Sequence, residues 1–184
     1  SLFCRNIFLG ASSTHESTCM KIVITDVSVF FDLYHLQVLP EFFALDLEIH
    51  TTNFVYNEIV LSAQKSEFAV FERSKKLHII KISVSEEDEI RAMSLERTNK
   101  SFPDKTVLWK ALQLDCTLLT SDNKLKKEAI AQGLVVHGSI WVISQLVEKE
   151  IISKSRGIEL FERMKQMNQR LPHGELDKLI NRLK

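Results

Sequence analysis

The chain has no net charge, only three cysteines, three prolines and no long apolar run, and each shortage removes a class of protein. Lysine plus arginine equals aspartate plus glutamate at 24 each, so no global field draws the molecule to nucleic acid or to an anionic membrane. Contact with nucleic acid then has to come from local patches. Cys4, Cys19 and Cys116 form an odd, widely spaced set without a C-x-x-C pair. That argues against a disulfide framework or a zinc site and fits reduced thiols in a cytoplasmic protein. No apolar stretch reaches the roughly 18 residues of a membrane-spanning helix, so no membrane association is expected. Internal repeats and low-complexity tracts are also missing.

What is present is one substantial core's worth of chain: 184 residues, 45% hydrophobic, short for two full domains. Residues 1–19 carry a short apolar patch around Ile7 to Leu9 and then a Ser/Thr-rich stretch, too weak for a secretory signal. Met20 directly precedes a basic residue and the first convincing strand. It reads as the natural start, with residues 1–19 an upstream or cloning-derived extension.

From Lys21, short β-branched runs alternate with longer amphipathic segments, the pattern of βαβ units around a parallel sheet. Strands are expected at Lys21 to Thr25, Leu47 to Thr51, His78 to Ile82, Cys116 to Thr120 and Leu134 to His137. Between them, helices are expected from Val27 to Gln37, Phe54 to Lys75 with a break near Ser66, Glu86 to Arg97, Asp104 to Leu114 and Asn123 to Gln132. Pro40 and Pro103 mark helix boundaries. After Gly138 the pattern is wholly helical: Ser139 to Glu150, Ser153 to Asn168 and Gly174 to Lys184. The expected organisation is an α/β domain over residues 20–150 and a helical extension, 151–184, packed on it.

Four acids stand where strands end or helices begin: Asp26, Glu58, Asp104 and Asp122. Carboxylates gathered at the carboxyl edge of a parallel sheet are a means of holding Mg²⁺ or Mn²⁺ for phosphodiester chemistry. Each also has a plainer reading. Asp26, after the buried strand KIVIT, is either a helix N-cap or a partnered cleft carboxylate, with Ser28 placed to donate to it. Glu58, one turn into its expected helix, faces either solvent or the cleft. Asp104 sits in SFPD, where Ser101 can cap and Asp104 can take the third helical position, or the first turn can present it into the cleft. Asp122 follows CTLLT and repeats the Asp26 arrangement on a second strand.

In order and context these segments resemble the PIN-domain nucleases. The resemblance runs through Asp26-Val27-Ser28-Val29, the strand and helix carrying Glu58, Ser101 to Asp104 with Leu108 and Ala111, and Leu118 to Asp122 with Leu125 and Ala129. It covers about Lys21 to His137. Val136 to Ser139 and Lys149 to Ile152 also look like bacterial PIN proteins of toxin-antitoxin type. The resemblance implies a parallel sheet sandwiched by helices, a divalent cation (Mg²⁺ or Mn²⁺) and endoribonuclease activity. It also implies metal ligation by Asp26, Asp104 and Asp122, with Glu58 orienting the metal or the attacking water, and Ser28 and Thr120 in support. The implied partners are RNA, a second copy of the chain and a small antitoxin that occludes the cleft.

Positive charge for the RNA backbone is nearest at Lys124, Lys126 and Lys127, with Lys105 beside Asp104; the bland reading of each is a solvated helix face. A haloacid-dehalogenase-like phosphatase needs a second Asp where Ser28 stands. A degenerate PIN-fold scaffold and a nuclease acting on structured DNA are the remaining alternatives.

Overall fold

The computed structural model describes residues 21–93, 101–167 and 171–184. The expectations for residues 1–20, including Cys4, Cys19 and the start at Met20, lie outside the described residues, as does the end of the helix expected to reach Arg97.

Five parallel strands, β1 (Lys21–Thr25), β2 (Leu47–Thr52), β3 (Leu77–Ile80), β4 (Thr117–Leu119) and β5 (Val136–His137), form one sheet in the order β3-β2-β1-β4-β5. β1 is central, pairing with β2 from Lys21↔Leu47 and with β4 through Val23↔Thr117 and Thr25↔Leu119. The chain builds outward from β1 to β2 and β3, then returns to lay β4 on the other side of β1. That reversal creates the crevice between β1 and β4 in which open α/β sheets bind ligands.

Ten helices accompany the strands among the described residues. α1 (Val27–Leu36), α2 (Leu39–Phe42), α3 (Asn53–Tyr56), α4 (Ser62–Arg73) and α5 (Val84–Ala92) precede β4 together with α6 (Phe102–Leu114). α7 (Asn123–Ala131), α8 (Ser139–Glu148), α9 (Lys154–Met167) and α10 (His173–Leu183) follow it. Alternation along β1 divides the core. Val23 faces Phe30, Leu33, Phe68, Ile143, Phe161 and Leu176, so α1, α4, α8, α9 and α10 share one layer. Ile24 faces Val107, Leu108, Ala111, Leu125 and Ala129 of α6 and α7 on the other. Trp109 joins Ile82 and Ile90 in a smaller cluster under α5.

Two local expectations are corrected. The segment from Phe54 to Lys75 is broken at residues 57–61, not at Ser66, which lies inside α4 and bonds back to Ser62 O at 2.8 Å. Ile59 is fully buried there while Val60 and Leu61 are exposed, so the apolar run is an anchored loop and not a helix face. The unexpected α2 forms around Pro40 in its first turn, where the missing N–H costs nothing.

Candidate active site

Asp26 follows β1, and its N–H donates to Leu119 O at 2.9 Å, extending the β1–β4 ladder by one bond. Its side chain is 2% exposed and is both cap and cleft carboxylate. Oδ1 accepts from Val27 N at 2.7 Å, closing the N-terminus of α1, while Oδ2 accepts from Ser28 Oγ at 2.6 Å and Thr120 Oγ1 at 3.0 Å. Burial pushes its pKa up, the Ser28 hydroxyl pulls it back, and the charge of Asp104 adds to the rise; the net direction is upward.

Glu58 lies in the turn after α3 and not within a helix, which corrects the expected placement. Glu58 is half-buried. Oε2 is buried and has no hydrogen-bond partner among the described residues. Its pKa is raised first by burial, then by the charges of Asp26 and Asp104. The three carboxylates therefore share one electrostatic neighbourhood at the end of β1.

Asp104 occupies the third position of α6 in a capping box: Ser101 Oγ accepts from Asp104 N, and Asp104 Oδ2 accepts from Ser101 N, both at 3.3 Å. Thr106, two residues on, bonds Thr52 at 2.7 Å and fastens α6 to the end of β2. Asp122 is exposed and caps α7, accepting from Leu125 N at 2.7 Å. Its own N–H donates to Thr120 Oγ1 at 3.0 Å. Ser28 Oγ, besides donating to Asp26, accepts from Ser121 N at 3.0 Å, so Ser28 and Thr120 together tie the β1 and β4 ends. Lys124, Lys126 and Lys127 are exposed on α7, and Lys105 is half-buried beside Asp104.

The donor chemistry suits a hard divalent cation: carboxylate oxygens only, with Glu58 Oε2 buried and without a partner among the described residues. The side chains are not gathered around a single point, because Asp104 and Asp122 are turned toward their own helix caps. Among the described residues no three carboxylate, imidazole or thiol groups stand close enough together to grip a metal.

The sequence reading missed Asp32. Its Oδ2 accepts from Ser121 Oγ at 2.6 Å and from Ser139 Oγ, so an acid on α1 holds the hydroxyls that follow β4 and begin α8. The available signal was one acid inside the apolar run VSVFFDLYHL. Gly138 was likewise undervalued: a Cβ there would stand 3.2 Å from Thr120 O, so its bare backbone lets the β5 end approach the turn carrying Asp122.

The family model described as PIN domain (DUF3368) matches residues 22–184, past His137 and through the last helices. Among solved structures, the chain is similar to a PilT N-terminus domain protein, SSO1118, from the hyperthermophilic archaeon Sulfolobus solfataricus P2. Identity is 12%, the TM-score is 0.52, and the match covers 69% of this chain and 94% of that one. PAE2754 from Pyrobaculum aerophilum matches with 14% identity and a TM-score of 0.47, over 72% of this chain and 98% of that one. No curated protein sequence matches the chain. With the family model spanning nearly all of it, and a five-stranded parallel sheet flanked by helices, this chain belongs to the PIN-domain family, generally a nuclease fold.

Proposed function

We propose that this chain is a divalent-metal-dependent endoribonuclease that hydrolyses RNA phosphodiester bonds, acting as the toxin of a toxin-antitoxin pair. The observation that carries the reading is the buried Oε2 of Glu58, without a partner among the described residues, beside Asp26 and Asp104, acids whose charges oppose one another and want a cation. Mg²⁺ or Mn²⁺ held by Asp26, Glu58, Asp104 and Asp122 would polarise the phosphate and lower the pKa of a bound water. Three hydrogen bonds fix the orientation of the Asp26 carboxylate, which supports that role. Asp104 and Asp122 each cap with one oxygen and keep the second for another ligand. Lys105, Lys124, Lys126 and Lys127 would meet the RNA backbone. A small antitoxin placing a basic side chain among the acids would block the cleft, and a homodimer is the proposed assembly.

One observation favours a second reading, a catalytically degenerate scaffold: the two acids committed to helix caps leave no preformed three-ligand cluster among the described residues. Incubating the protein with single-stranded and structured RNAs in Mg²⁺, Mn²⁺ or EDTA separates the two. Metal-dependent cleavage lost in folded Asp26→Asn and Asp122→Asn variants supports the nuclease. No cleavage of any RNA, together with no metal binding by calorimetry, supports the scaffold.

A further inference from the structure

A cavity of about 260 Å³ adjoins the acids through the turn after β4: Thr120, whose hydroxyl bonds Asp26, and Ser121 both line it. Its wall is aromatic. The rings of His137 and Trp141 stack with centroids 4.3 Å apart and planes 3° from parallel. Ser121 and Ser139 contribute hydroxyls that both bond Asp32 and stand 2.8 Å from one another, which holds the two oxygens in place as polar groups of the cavity wall. Lys126 supplies a cation at the rim, and α10 closes the opposite side with Leu179 and Glu175. Burial, helped by the charges of Lys21 and Lys126, holds the His137 imidazole below its ordinary pKa. At neutral pH it is an uncharged stacking ring.

An aromatic-walled cleft with two hydroxyls and one cation beside a phosphodiester site has the chemistry of a base pocket. Single-stranded RNA is read by stacking an unpaired base on aromatic side chains and pairing its edge with polar groups. The volume is below that of pockets for drug-sized ligands, which limits the occupant to about one base. We infer that this cavity is a subsite for a single RNA base flanking the cleaved phosphate, formed by His137 and Trp141 with Ser121, Ser139 and Lys126. The Ser121 and Ser139 hydroxyls and the Lys126 ammonium meet the polar edge of the base.

The inference rests on the nuclease reading, and its test is arranged so that the two can fail separately. AMP, CMP and UMP are titrated into the full chain in EDTA, following Trp141 fluorescence with Trp141→Phe as the control for Trp109. In parallel, kcat/KM is measured with Mg²⁺ on single-stranded oligonucleotides for wild type, Trp141→Phe and Trp141→Ala. Thermal melts establish that each variant is folded. The expected result is quenching by the nucleotides, and about a tenfold or larger fall in kcat/KM for Trp141→Ala, mostly restored in Trp141→Phe. Nucleotide binding of that order without any cleavage would keep the subsite and discard the nuclease. Cleavage in which folded Trp141→Ala matches wild type in rate and base preference would overturn the subsite and keep the nuclease. Absence of both binding and cleavage would overturn both.

Discussion

Thr120 Oγ1 donates to Asp26 Oδ2 and accepts from Asp122 N, each at 3.0 Å, so one hydroxyl couples the carboxyl ends of β1 and β4. Thr120→Val keeps the shape and removes both bonds, leaving the Asp122 N–H and a buried carboxylate short of a partner. The expected cost is about 1–3 kcal/mol in urea denaturation, with a parallel loss of cleavage, while Thr120→Ser retains most of both. Equal stability for Thr120→Val and wild type would show that water replaces the hydroxyl.

Burial makes the charge of Asp26 costly to the fold. Folding raises its pKa above 3.8, so between that value and the raised one the native state binds more protons than the unfolded chain. Stability contributed by this group therefore falls as pH rises through the window. In EDTA at pH 7, Asp26→Asn is expected to melt higher than wild type, by about 2–4 °C for each kcal/mol recovered. The gap should close as pH falls toward 3.8, and Mg²⁺ should stabilise wild type and not the variant. A lower melting temperature in EDTA would mean that the hydrogen bonds from Ser28, Thr120 and Val27 outweigh burial.

Much of this was legible in the sequence where local chemistry and burial agree. KIVIT followed by Asp26, the SFPD capping box and LLTSD each state a strand end or a helix start through residues within three positions of one another. Glu58 was misplaced because Ile59, Val60 and Leu61 continue an apolar run, and only the tertiary packing of Ile59 separates a loop from a helix. Asp32 was missed for a different reason. Its partners Ser121 and Ser139 are 89 and 107 residues away, and nothing near Asp32 in the chain announces them. The His137–Trp141 stack was not legible either, because the two rings meet only across the start of α8, in the cavity they share with Ser121 and Ser139.

Glu86 shows the opposite pH behaviour to Asp26. The Lys110 ammonium at 2.7 Å, then the backbone and hydroxyl of Ser83, hold its pKa down to about 2 from 4.5. The stability it adds is complete above 4.5 and is lost as pH falls toward 2. Because the pair faces solvent in part, a contribution of about 0.5–1.5 kcal/mol is expected from the ion pair and the cap together. Glu86→Gln should lower the unfolding free energy from urea denaturation by that amount at pH 7 and progressively less below pH 4.5. A difference that stays constant down to pH 3 would assign the effect to side-chain packing instead of charge.

Gly157 of α9 sits against α8, where a Cβ would collide with Val147 Cγ2 and come within 3.4 Å of Leu183 Cδ1. Gly157→Ala gains about 1 kcal/mol of helix propensity, yet the collision forces a stiff β-branched neighbour or the α8–α9 spacing to move. Overpacking of this kind costs about 1–3 kcal/mol, so the net expectation is destabilisation in a thermal melt. Val147→Ala alone also destabilises, through a lost contact in the core layer that Ile143, Leu160 and Phe161 share with the sheet. Combined, the two substitutions should recover stability relative to their sum, because the methyl at 157 fills space that Val147 vacates and the propensity gain is then realised. A double variant no better than additive would show that the α8–α9 contact adjusts by backbone shift, with Gly157 free to be any small residue.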